Sequence, residues 1–239
     1  MGDNPGRPIL LTRPRAQSER FAEQVLTRLP NAQIVVSPIL TIVPCQTPIP
    51  LKGVGAVILS SENGARALAE ESGISGLAAY CVGERTARVA ASLGLEPHSA
   101  DGDADSLVAL IRKAAPSGHL LHVRGAESRG AIAERLGAAG LTVSEFVAYE
   151  QKPMPLNDAA KALLAAPKPV ITPLFSPRSS ALLGAVWRDA AAPAWLACLS
   201  SAIREAWSGP TPDRVRVAKA PRASDLLVEL VALYRESLP

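Results

Sequence analysis

Leu10-Leu11-Thr12-Arg13-Pro14, followed by Phe21-Ala22-Glu23, has a counterpart in Leu121-His122-Val123-Arg124-Gly125, followed by Ile132-Ala133-Glu134. Residue 121 stands to 10, and 132 to 21, at one offset of 111 residues. In both copies a short apolar run ends on an arginine and gives way to helical spacing, which is a strand–turn–helix unit. Further units recur. Val57-Ile58-Leu59-Ser60 resembles Leu174-Phe175-Ser176, and Cys81-Val82-Gly83 resembles Cys198-Leu199-Ser200, each leading into a helix. Asp105-Ser106-Leu107 has a looser echo in Ser224-Asp225-Leu226. Self-similarity of this kind marks a repeated architecture.

The order of the units carries the topology. The arginine-bearing unit comes last in the middle of the chain and first in its outer parts. Alike halves therefore require residues 1–37 and 153–239 to form one discontinuous α/β lobe, with 46–145 inserted as a second. Residues 38–45 and 146–152 become β-rich linkers, able to pair as a two-stranded ladder. Candidate strands are Ile9–Thr12, Ile34–Val36, Ala56–Leu59, Tyr80–Val82, Leu120–Val123, Val143–Tyr149, Val170–Phe175, Trp195–Leu199 and Val215–Ala218. Helical stripes run through Phe21, Val25 and Leu29, and through Leu226, Leu230 and Tyr234. Asp103 and Ser224 read as N-caps of helices reaching about Ala114 and Ser237. Apolar runs alternating with amphipathic stretches indicate parallel sheets. Two similar lobes with a hinge leave a cleft between them.

Composition narrows the function. The 239 residues are 48% hydrophobic and 20% charged, enough for one large or two small domains at about 150 residues each. Net charge is +3 with only 4% aromatic residues, which speaks against a nucleic-acid surface and suits an anionic small ligand. Cys45, Cys81 and Cys198 lie far apart, as reduced buried thiols would. His119 and His122 fall on opposite faces of one strand, and no metal-ligand spacing is found. The uncharged stretch Leu29–Leu51 contains Pro30, Pro38, Pro44, Pro48 and Pro50, so it is no membrane helix. With no targeting segment, the expectation is a cytoplasmic monomer.

Ligands of open α/β sheets sit beyond the carboxyl ends of the strands. There the sequence places Thr12-Arg13, Ser60-Ser61-Glu62-Asn63-Gly64, Gly83-Glu84-Arg85-Thr86, Arg124-Gly125, Ser176-Pro177-Arg178-Ser179 and Ser200-Ser201. Each opens a helix, so backbone N–H groups favour carboxylates or phosphates; ordinary helix capping is the plainer reading of any single one. GxGxxG, GxxxxGK[ST] and GxSxG are absent, and Ser61 has no evident histidine partner for a hydrolase triad. An enzyme of this composition holds an anionic molecule in a reactive shape and uses few acid–base groups. No cofactor is implied.

Leu11-Thr12-Arg13-Pro14, Leu59-Ser60-Ser61-Glu62-Asn63-Gly64, Val82-Gly83-Glu84-Arg85-Thr86-Ala87, Val123-Arg124-Gly125, Tyr149-Glu150 and Phe175-Ser176-Pro177 together resemble the uroporphyrinogen-III synthase family. The resemblance runs from about residue 8 to 235. It implies two flavodoxin-like lobes joined by a β-ladder, one of them discontinuous. It also implies a cofactor-free lyase that cyclises hydroxymethylbilane, a linear tetrapyrrole bearing eight carboxylates, with loss of water and inversion of the last ring. Tyr149 matches the tyrosine placed near the departing hydroxyl; packing between lobes is its alternative role. Thr86 matches a threonine that holds a carboxylate at a helix start. Arg13 and Arg124 would pair with substrate carboxylates or with each other's helices. The family's paired threonines in the outer lobe are replaced by Ala202 and Ile203, which leaves Ser200 or Ser201 to supply that hydroxyl.

Two other classes share these features. A two-lobed sensor would bind an anion without turnover. A sugar-nucleotide transferase would need an acidic ribose or metal motif, for which Asp101-Gly102-Asp103-Ala104-Asp105 is the candidate; capping of the next helix is the better reading of that stretch.

Overall fold

Strands covered on both faces read as unbroken apolar runs, and Val170–Leu174 and Ala194–Cys198 are buried at every position. A computed structural model describes residues 6–127 and 130–236. In chain order the described elements are β1 (Ile9–Leu11), α1 (Arg15–Arg28), β2 (Ile34–Val36), β3 (Leu40–Pro44), β4 (Val54–Leu59), α2 (Glu62–Arg66), β5 (Ala78–Cys81), α3 (Glu84–Ser92), β6 (Glu96–Ser99) and α4 (Ala104–Ala114). They continue with β7 (His119–Gly125), α5 (Ile132–Ala138), β8 (Val143–Pro153), α6 (Asp158–Ala165), β9 (Val170–Leu174), α7 (Pro177–Trp187), β10 (Ala194–Cys198), α8 (Ser201–Glu205), β11 (Arg214–Val217) and α9 (Ala223–Arg235).

The chain divides into two compact units. One comprises the residues up to Thr41 and those from Pro153 onward, and the other is Ile42–Lys152. Their sheets run β11-β10-β9-β1-β2 and β6-β5-β4-β7-β8-β3. The repeats pair β4 with β9, β5 with β10, β7 with β1, and by extension β6 with β11 and β8 with β2. Substituting along those pairs converts one spatial order into the other. The insertion is thus a permuted copy of the same doubly wound sheet, and β3 adds one edge strand beside β8. The registered pairs of the five corresponding strands in each unit are parallel.

Each unit has core on both faces of its sheet. In the first, Leu10, Leu183, Trp187 and Leu196 fill one side and Phe21, Val25, Ile171 and Leu230 the other. In the second, Val57, Leu59, Leu121 and Val123 meet α2 and α3 on one side. Ile58, Leu120, Leu107, Ile111 and Leu136 fill the side of α4 and α5. Pro173 lies inside the central strand β9, which continues through it in register with Ala197 of β10. Ile171 donates its N–H to Pro8 O at 3.0 Å, but two residues on Pro173 has no N–H, and the β1–β9 register is confined to Ile9 opposite Ile171.

Several local expectations shift. β6, Glu96-Pro97-His98-Ser99, escapes sequence patterning because as an edge strand it is polar and carries a proline. β8 runs unbroken to Pro153, absorbing residues 146–152 into a strand. Asp103 caps α4, accepting from Ser106 N and Asp105 N at 3.0 Å each, and the bonds from the Ser106 backbone and hydroxyl hold its carboxyl below the usual range. The cap of α9 is Arg222 and not Ser224, whose hydroxyl turns to Asp225 at 3.3 Å. The helix ends at Arg235, and Ser237 lies outside the described residues.

Because the second unit has its own two-sided core, a fragment of residues 42–152 is expected to fold alone with a single cooperative urea transition. Circular dichroism of that fragment is the check; a coil spectrum beside a folded full chain would contradict an autonomous insertion.

Candidate functional site

In a doubly wound sheet the crevice forms where strand order reverses, here between β4 and β7 in the second unit. A cavity of about 310 Å³ lies there, lined by Ser60, Ser61, Val82, Ala104, Gly125, Glu127, Ile132, Tyr149 and Gln151. Every wall comes from a strand's carboxyl end or from the helix that follows.

Ser61 caps α2, and its Oγ accepts the Gly64 N–H at 3.1 Å. The same Oγ is 2.8 Å from the Tyr149 hydroxyl, so the structure joins these two candidates directly. A β-bulge makes the meeting possible. The β7–β8 register slips between Arg124 and Gly125, which pair with Val147 and Tyr149. Strict alternation would leave Tyr149 on the face of Glu145; the extra residue turns it to the other face, over Gly125. Gly125 and Gly64 are needed as glycines. A Cβ on Gly125 would lie 2.7 Å from the Tyr149 ring, and one on Gly64 would lie 2.6 Å from Val123 O.

The neighbouring Ser60 faces the other way, to a group the sequence reading missed. Its Oγ is 3.0 Å from His122 Nε2, while His122 Nδ1 is 3.1 Å from Glu145 Oε1. No motif gives this away, since the three residues lie on β7, β8 and the end of β4. The one available signal was an imidazole in the otherwise apolar run Leu120-Leu121-His122-Val123. His122 is fully buried. Burial pushes its pKa below the ordinary value, opposed by the Glu145 hydrogen bond and charge, and the Arg124 charge adds to the lowering. A neutral imidazole that donates its Nδ1–H to Glu145 leaves Nε2 to accept from Ser60.

A depressed histidine pKa makes the unfolded chain the better proton acceptor on the acid side. The stability that neutral His122 lends is complete above about pH 6.5, the unfolded value, and drains away as pH falls towards the folded one. Urea titrations from pH 7 to 5 are expected to show this loss in the wild type, and His122→Gln to lack that component. Equal slopes would mean that His122 is not buried neutral.

Arg124 is committed inside the protein. Its Nη2 donates to Glu145 Oε2 at 3.0 Å, its Nη1 to the carbonyls of Gly125 and Ala126, and its Nε lies 3.0 Å from Glu145 Oε1. Thr86 is buried in the first turn of α3, Gly83 caps that helix through its backbone, and Asn63 is half-buried in α2. The remaining candidates belong to the first unit. Arg13 stacks on the Phe175 ring at 4.1 Å. Ser176 caps α7, accepting from Ser179 N at 3.1 Å. Ser200 stands at the N-cap of α8 without a side-chain cap bond, and Ser201 is exposed beside it. Ile203 points into the core, so that position serves packing.

Burial pushes the thiols of Cys81 and Cys198 up to about 12, which keeps them protonated and unreactive. Among the described residues no cluster could hold a metal ion, and no helix is long and apolar enough to cross a membrane. A larger cavity of about 530 Å³, by Pro44–Ile49, Arg66 and Phe146, contains none of the candidate residues.

A family model described as uroporphyrinogen-III synthase HemD matches residues 21–227. Among solved structures, uroporphyrinogen-III synthetase from Helicobacter pylori is similar with a TM-score of 0.67 and 15% identity, over 95% of this chain and 99% of that one. A mutant uroporphyrinogen III synthase from the extremely thermophilic bacterium Thermus thermophilus gives a TM-score of 0.52 and 16% identity, over 95% and 98% of the two chains. No curated protein sequence matches. Identities this low establish a shared fold, while the family model spans most of the sequence: the chain belongs to the uroporphyrinogen-III synthase family, whose place is in tetrapyrrole biosynthesis.

Proposed function

We propose that the protein is a lyase that closes hydroxymethylbilane to uroporphyrinogen III, releasing one water and inverting the last pyrrole ring. The observation that carries this reading is the Tyr149 phenol, held at 2.8 Å by the capping Ser61 on the wall of the cavity. Ser61 Oγ already accepts from Gly64 N, so when its own proton goes to the tyrosine oxygen the phenolic proton is free to face the cavity. A donor so placed assists the first step. The C–O bond of the hydroxymethyl group breaks, hydroxide leaves as water with the phenolic proton, and an electrophilic azafulvene remains. The substituted carbon of the last ring attacks it to give a spiro intermediate. That species fragments and recloses with the ring turned over, and a ring carbon then releases a proton.

Pyrroles supply most of this reactivity, so the protein's part is to fold the chain and exclude the unflipped closure. At about 310 Å³ the cavity is at the small end of ligand sites, about 300–1,000 Å³, and suits one or two rings, not a whole tetrapyrrole. The test is to mix the protein with fresh hydroxymethylbilane and separate the isomers. Type III product in excess is expected; binding with only spontaneous type I closure would make the chain a sensor instead.

A further inference from the structure

We propose that Ser60, backed by His122 and Glu145, is the proton acceptor and return path of the candidate site. This rests on the synthase reading, which leaves one proton to be taken from a ring carbon after Tyr149 has given one away.

The geometry is that of an oriented base. Ser60 lines the cavity, its Oγ is 3.0 Å from His122 Nε2, and Glu145 holds the far nitrogen at 3.1 Å. A hydroxyl backed by a neutral imidazole, itself held by a carboxylate, is the arrangement that moves protons in acyl-transfer enzymes. Here the substrate offers a proton and no acyl group. The ring C–H bond breaks and its electrons restore the aromatic pyrrole. The proton passes to Ser60 Oγ as the serine's own proton passes to His122 Nε2. The imidazolium so formed is stabilised by Glu145. To reset, Nε2 returns a proton to Ser60 Oγ, which passes one to solvent water in the cavity, and the Tyr149 phenolate recovers its proton from that water.

The surroundings leave few other groups to set His122. Glu145 on β8 faces it, and Arg124 follows it on the same side of β7 and pairs with that carboxylate. From β5 the cluster on this face includes Tyr80, and from α4 and α5 it includes Leu107, Ile111, Ile132 and Leu136. The charged pair of those helices, Asp105 and Arg135, is held in its own 2.8 Å contact. A buried imidazole bonded at both nitrogens is more than packing needs, since an apolar residue would fill the site without the desolvation penalty.

Two measurements on the full chain test this. Initial rates of type III formation are taken from pH 5 to 8 for the wild type, Ser60→Ala and His122→Gln, with folding checked by thermal melt. We expect kcat to fall about 10-fold to 100-fold in each variant and KM to change little. The wild-type loss of kcat on the acid side should vanish from both variants. Unchanged kcat in folded Ser60→Ala, or an acid limb that survives in it, overturns the relay. Nitrogen NMR of the wild type provides the second readout, independent of turnover and usable even where His122→Gln fails to fold. A neutral imidazole protonated on Nδ1, whose Nε2 resonance moves in Ser60→Ala, supports the proposal; a proton on Nε2 at pH 7 overturns it. Failure of the synthase reading is distinguishable, because there the wild type itself makes no type III product.

Discussion

Tyr149→Phe is expected to lower the rate of type III formation about 10-fold to 100-fold while KM stays near the wild-type value. A phenol that protonates departing hydroxide acts in the transition state more than in the bound ground state, so its loss falls on kcat. The range is the low end of general-acid help because pyrrole nitrogens still drive ionisation once the donor is gone. Phenylalanine keeps the ring, its packing against Gly125 and its burial, and removes only the oxygen bonded to Ser61. The stability change should therefore be that of one hydrogen bond, about 0.5–1.5 kcal/mol. Initial-rate assays with isomer separation, on protein whose melt shows it folded, are the check. Wild-type turnover combined with a lowered melting temperature would make Tyr149 a packing residue and leave catalysis to the substrate and the rest of the cage.

Part of this was legible in the sequence, for physical reasons. Leu10–Arg13 and Leu121–Arg124 announce their strands because both faces of a parallel strand are covered, so apolar runs end sharply at the polar turn. The repeat carried the α/β class and the order of the units, since each copy must bury the same faces. β6 was illegible because an edge strand need not be apolar. Ser61 and Tyr149 were named separately, but their contact depends on a bulge at residues 147–149 that has no composition signal. The contact among Ser60, His122 and Glu145 was missed for a related reason. Their proximity is set by register, with His122 opposite both Ile58 and Glu145, and register between distant strands is not written in any local pattern. Arg124 has a partner that no local pattern announces: an arginine at a strand end suggests a carboxylate, and in the structure it pairs with Glu145.

Gly125→Ala should damage the site through a single methyl group. The backbone there lies outside the left-handed region, so alanine is tolerated conformationally, and the difficulty is space alone. Its Cβ would sit 2.7 Å from Cε2 and Cζ of Tyr149 and 3.0 Å from the hydroxyl, closer than carbon atoms approach without something moving. The ring is stiff and buried, so it can relieve the contact only by withdrawing from Ser61 or by pushing β8 away from β7. Overpacking of this kind costs about 1–3 kcal/mol of stability. Displacement of the phenol should also lower kcat about as much as deleting its oxygen, about 10-fold to 100-fold. A double-mutant cycle separates the two consequences. If Gly125 acts on the rate by placing the tyrosine, Gly125→Ala combined with Tyr149→Phe should turn over no more slowly than Tyr149→Phe alone, although it is less stable. Multiplicative loss of rate in the double variant would show that Gly125 gives the substrate room on its own account, and that the tyrosine's position does not depend on it.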